Sequence, residues 1–172
     1  MASLYDLAVP VLTNILKAEQ HLLAQAEAFA ADKGTPISEI LELRLAPDMW
    51  PLSQQIVISA LHTGSFLAKA AGITPNTVVF GPASLEDSKK YLVETLELLA
   101  SVKPEDLNGK EDKILKAQLG ANYEPEMTAY NYVQGYMLPN VYFHLTTLYD
   151  LLRNKNVPLG KKDYISHFVR LA

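Results

Sequence analysis

Four stretches of this chain repeat their apolar residues at the period of an α-helix, with most prolines and glycines falling between them. A helix that carries one apolar stripe has to bury it against a neighbour, so four stripes in succession predict a mainly all-α chain built on a four-helix bundle. In the first stretch Leu4, Leu7, Val11, Ile15, Leu22, Ala26 and Phe29 share a face, Ser3 and Asp6 form a cap signature, and Gly34 marks the end. Pro10 either kinks this helix or marks its true start. Glu19 falls on the apolar face, and its long side chain is expected to snorkel to water. The second stretch runs from about Leu52 to Ala71, closed by Gly72. The third opens at Ser84 with Asp87 and carries Leu85, Leu92, Leu96 and Leu99 to about Ser101. The fourth spans Ala129 to about Arg153, apolar on nearly every side, and Pro139 is expected to bend it.

The intervening segments read differently. After Thr35 and Pro36, Ser38 is placed to cap a short helix through Leu43. Arg44 to Pro51 forms an extended, sticky loop bracketed by two prolines. From Pro104 to Thr128 the helical period fails, and Ile114–Leu119 and Tyr123–Thr128 around Gly120-Ala121-Asn122 predict a small β-hairpin before the last long helix. A Val157-Pro158-Leu159-Gly160 turn leads into a short tail.

At 172 residues, 49% of them hydrophobic and 20% charged, the chain is sized for one domain over 1–172 with a proper core. The absence of cysteine removes disulfides, thiolate metal sites and a cysteine nucleophile, and suits a reducing, cytoplasmic setting. A net charge of −4, with no basic block beyond Lys161–Lys162, argues against nucleic acid. The stretch from Leu4 to Leu16 is broken by Asp6, Pro10 and Asn14, so it predicts neither a signal peptide nor a membrane span.

Candidate chemistry centres on two histidines. His144 shares the face of Val133, Met137, Val141, Leu148 and Leu151, so its imidazole points into the bundle, with Asn140 and Thr147 one turn away on either side. A core histidine tied to a hydroxyl or carbonyl and a ligand or proton carrier both satisfy that placement. His62 shares a polar stripe with Gln55, Ser65 and Lys69. That stripe describes either a solvated face or the wall of an internal cavity, across which His62 would meet His144. His21 reads as exposed, and His167 lies in the tail. No phosphate loop, dinucleotide fingerprint, nucleophile elbow or zinc-protease motif is present, and no helix carries a His-x-x-x-His or Glu-x-x-His pair. Tyr123, Tyr130, Tyr132, Tyr136, Tyr142 and Tyr149 crowd the last helix and its approach, where one or two can orient a small aromatic or carbonyl compound.

The motif Arg44-Leu45-Ala46-Pro47-Asp48-Met49 with Pro51-Leu52 and Gln55, the run Leu138 to Thr147 with Tyr149 and Leu152-Arg153, and the ending Gly160-Lys161-Lys162-Asp163-Tyr164 together resemble an uncharacterised family of bacterial and fungal proteins related to the DinB/YfiT-like helical bundles. The resemblance covers essentially the whole chain and implies that fold. It also implies pocket roles for Asp48, Gln55, Asn140 and His144, with Arg44 anchoring the loop through Asp48 or a carbonyl. The wider superfamily includes metal-dependent thiol transferases and hydrolases that hold a divalent metal with three histidines from the second and fourth helices. Here only His62 and His144 occupy comparable helices, and no metal ligand is assigned.

Three functions are consistent with these residues. The first is a cofactor-free acid/base enzyme of isomerase, lyase or cyclase type, with His144, Asp48 and His62 catalytic and Gln55, Asn140, Tyr136, Thr147 and Trp50 holding a small-molecule substrate. The second is a divalent-metal-dependent transferase or hydrolase. The third is a non-catalytic binding or interaction domain. A homodimer is expected, with neither nucleic acid nor membrane as partner.

Overall fold

The structure, a computed structural model, describes residues 3–169. Positions 1–2 and 170–172 of the domain expected over 1–172 lie outside them. In chain order the elements are α1 (Leu4–Lys33), α2 (Ile37–Leu41), α3 (Leu52–Ala71), α4 (Leu85–Ser101), α5 (Pro104–Leu107), β1 (Ile114–Lys116), β2 (Glu126–Thr128), α6 (Ala129–Asn131), a π-helical segment (Tyr132–Met137), α7 (Leu138–Asn154) and α8 (Lys161–Ile165). The four long helices pack in a ring, α1 against α4 and α7, and α3 against α4 and α7. This is the expected four-helix bundle, with α1 and α3 facing each other diagonally across its axis. Leu12, Ile15, Leu22, Ile56, Phe66, Leu67, Val141 and Leu148 are fully buried in the core between them.

The helix ends follow from their residues. Ser3 and Asp6 form a reciprocal capping box that opens α1, and Gly34 at φ 62° closes it through the left-handed conformation that glycine adopts without penalty. Pro10 sits inside α1, so it does not mark the helix start. Glu19 corrects the expectation of snorkelling. Its side chain is fully buried, and Ser59 on α3 donates a hydrogen bond to its Oε1 at 2.6 Å across the bundle axis, while Oε2 has no partner among the described residues. A carboxylate with one hydrogen bond in hydrocarbon is poorly stabilised, so burial pushes its pKa up to about 8 and the acid is held mostly neutral at pH 7.

Elsewhere the differences are local. Ser38 lies inside α2 rather than capping it, because the helix begins at Ile37 behind Pro36. α3 and α4 occupy the expected spans, with Gly72 at φ 75° closing α3 and Ser84 accepting from the Asp87 backbone N–H at the start of α4. The hairpin is present, with Ile114 opposite Thr128, Leu115 opposite Met127 and Lys116 opposite Glu126. Backbone bonds from Ala117 to Pro125 and from Leu119 to Tyr123 carry it towards Gly120. The short helices α5 and α8 are additional to the expectation. His21, expected at the surface, is half-buried against α8, where Nε2 lies 2.9 Å from Asp163 Oδ1.

Ahead of Pro139 the last long helix widens into the π-helical segment instead of simply bending. The Leu138 N–H reaches back to the Val133 carbonyl, five residues away. Proline has no N–H and crowds the preceding turn, and the wider turn accommodates both defects without breaking the helix.

Candidate functional site

α3 and α7 run antiparallel, so Gln55 meets His144 near one end of the contact and His62 meets Tyr136 further along. The polar stripe of α3 borders two clefts that open to solvent, Gln55 the first and His62, Ser65 and Lys69 the second. The first cleft, about 340 Å³, lies between the loop carrying Asp48, Met49 and Trp50 and the α7 residues Asn140, Phe143 and His144. The second, about 450 Å³, is walled by Ile58, Leu61, Phe80, Tyr132 and Tyr136 and closed by the hairpin end at Gln118 and Gly120. Trp50 borders both.

His144 is 5% exposed, as its place on the apolar face required. Its orienting partner is Gln55, neither of its helical neighbours nor Asp48. The Nδ1 atom lies 2.7 Å from Gln55 Oε1, while Gln55 Nε2 donates to the carbonyls of Trp50 at 2.9 Å and Pro51 at 3.3 Å. Because the amide nitrogen is committed to those acceptors, the oxygen faces the imidazole, so the hydrogen sits on Nδ1 and Nε2 is left with its lone pair. Burial first, and the neighbouring His62 second, lower the His144 pKa to about 4, so the ring is neutral at pH 7. His62 is lowered to about 4 as well, by burial and by the charge of Lys69.

The two imidazoles are stacked with centroids 6.4 Å apart, and Tyr136 meets His62 edge-on at 5.4 Å. On its other side His144 has Trp50 at 6.2 Å, nearly parallel, and Phe143 edge-on at 5.4 Å. The Tyr136 hydroxyl donates to the Gln118 carbonyl at 2.8 Å, and burial raises its pKa, so it stays protonated. Arg44 donates to the Met49 carbonyl, its carbonyl alternative rather than Asp48, and thereby folds the loop that presents Asp48 and Trp50.

Of the residues expected at the site, His144, Asp48, Gln55, Asn140 and Trp50 border the first cleft and His62 and Tyr136 the second. Gln55 has both ends of its amide occupied by the protein, so it positions His144. The Asn140 side-chain amide donates to the Tyr136 carbonyl at 2.7 Å. Thr147 is buried and borders neither cleft. Lys69 was legible on the stripe of His62, whereas Phe80, Gln118 and Phe143 were not expected at a cleft, and Phe80 and Gln118 arrive from segments that no helical period predicts.

The wider superfamily's metal would need three converging donors. Here His62 and His144 are the two that converge, and among the described residues no group of three His, Asp or Glu side chains is placed to hold an ion. The donor set does not fit that site. Likewise, no described helix is long and apolar enough to cross a membrane.

A comparison with curated proteins finds no match. Among solved structures, a DinB family member protein from Shewanella denitrificans is similar, at 27% identity with a TM-score of 0.82, over 94% of this chain and 91% of that one. The DinB-like bundle is thus shared in fold and, at that level, in sequence. Residues 4–165 match the family described as a domain of unknown function, DUF1993, and the chain belongs to that family.

Proposed function

We propose that this bundle binds a small organic molecule in the clefts flanking Trp50 and moves a proton within it, without a cofactor, using His144 as the acceptor. The observation that carries the reading is the Gln55–His144 hydrogen bond, which fixes the tautomer and leaves Nε2 as the only ring nitrogen available to the first cleft. A positioned imidazole with an orienting partner is sufficient machinery for general-base catalysis. The proton leaves the substrate for Nε2, and the resulting imidazolium keeps its Nδ1–H bond to Gln55. The Tyr136 hydroxyl, in the second cleft and protonated at neutral pH, is suited to return a proton to another atom of the substrate. Such a step gives an isomerisation or an elimination.

Incubating a library of small carbonyl compounds with the protein in D2O and following carbon-bound hydrogens by proton NMR tests the reading. At least one compound is expected to exchange, and exchange is expected to disappear in His144→Ala. No exchange from any compound, or equal exchange in the variant, overturns it. Since His144 titrates at about 4, the rate is expected to stay level from about pH 8 down to about pH 5 and to fall below that.

A further inference from the structure

The first cleft has a chemistry of its own. Two of its walls are the large rings of Trp50 and Phe143, both of which present surface to solvent, at 44% and 55% exposure. Among the described residues Asp48 is the one charged side chain at its edge, and it forms no ion pair with any of them. The nearest basic residue in sequence, Arg44, is turned away from it, towards the Met49 carbonyl and Glu42. The polarizable Met49 thioether completes that side.

We infer that this cleft takes the positively charged head of an organic amine, held by the Trp50 and Phe143 rings and the Asp48 carboxylate. An ammonium is attracted to the electron-rich faces of aromatic rings, most strongly to tryptophan, and a carboxylate at the rim adds a charge that an anion would meet as repulsion. His144 fits the same ligand. Its ring is neutral and therefore does not repel a cation, and its bare Nε2 accepts an N–H, which an ammonium supplies and a carboxylate does not. The second cleft has the opposite polarity, because the charged residue at its border among the described residues is Lys69, whose ammonium donates to the Lys116 carbonyl at 2.7 Å. The inference rests on the reading of the first cleft as a ligand site and adds the class of ligand.

Trp50 is the only tryptophan in the chain, so its fluorescence reports on the cleft directly. Titration with benzylamine, benzyl alcohol and phenylacetate compares a cation, a neutral molecule and an anion on similar aromatic bodies. Benzylamine is expected to bind about tenfold more tightly than benzyl alcohol. Asp48→Asn, a change at an exposed position, is expected to erase most of that advantage without weakening phenylacetate, and Phe143→Leu to reduce it independently. Benzylamine binding no better than benzyl alcohol, no saturable response to any of the three, or an advantage unchanged in Asp48→Asn overturns the inference. Proton exchange dependent on His144 in compounds without an amine would preserve the proton-transfer reading while removing this one.

Discussion

The protonation of His144 is set by an amide rather than a carboxylate, and that choice has a measurable signature. Gln55 fixes the tautomer without offering a charge to stabilise the imidazolium, so burial prevails and the ring titrates near 4. Gln55→Glu puts a carboxylate beside Nδ1, and it is expected to raise the His144 pKa by roughly 1–3 units, read from the ring C–H shifts in an NMR titration. The acid limb of any His144-dependent activity should move with it. Glu19 is the converse case. Its folded pKa of about 8 lies above the unfolded value near 4.5, so stability is lost as pH rises between them while the unfolded chain releases a proton that the fold retains. Glu19→Gln removes that titration and is expected to add roughly 2–4 kcal/mol at pH 8, read from urea melts, with little gain at pH 5. The inward turn of His144 was legible because five apolar residues share its face. Its partner was not, since Gln55 lies 89 residues away and only the packing of α3 on α7 brings them together. The same holds for Glu19, whose partner Ser59 stands on the diagonal helix.

At the level of elements, tertiary packing reverses one rule of propensity. Gly64 lies inside α3, where alanine ordinarily adds about 1 kcal/mol to a helix. A methyl group there would stand 2.9 Å from Pro75 Cβ, against a rigid ring in the segment leading to α4. That segment would have to shift, and overpacking of this kind costs about 1–3 kcal/mol, so Gly64→Ala is expected to lower the denaturation midpoint rather than raise it. The long helices, their caps and the hairpin were legible because each is announced within a few residues, by period, by Ser and Gly signals, or by loss of period. α5 and α8 are too short to show a period at all. The π-helical segment left half a trace: Pro139 marked the place of the irregularity, but a widened turn and a simple bend answer the same missing N–H.

Across the whole molecule, the opposing titrations combine into one stability profile. His62 and His144 are neutral in the fold and titrate near 4, below their unfolded value near 6.5, so acidification from 6.5 towards 4 protonates the unfolded chain first and destabilises the fold. Glu19 acts in the other direction up to about pH 8. A scan of melting temperature against pH is expected to peak near about pH 6.5, and Glu19→Gln is expected to flatten its alkaline side and to steepen the fall from about pH 6.5 to about pH 4.5, where Glu19 opposes the histidines. The bundle itself was readable from four stripes and the family resemblance, because burying four apolar faces leaves few arrangements. The clefts were not, since they are assembled from the loop at Trp50, the segment at Phe80 and the hairpin end at Gln118, none of which has a period. The helix that carries both Tyr136 and His144 is out of phase with itself, having one residue too many for a straight α-helix between Tyr132 and Met137. Excising the exposed Gly135, where an added Cβ would meet no other described residue within 4 Å, would remove the extra residue and turn Tyr132 about 100° around the axis together with the buried Ala129 and Val133, on the far side of the deletion from His144. The deletion would thus withdraw Tyr132 from the wall of the second cleft, whereas every residue that lines the first lies either on another segment or beyond the excised position.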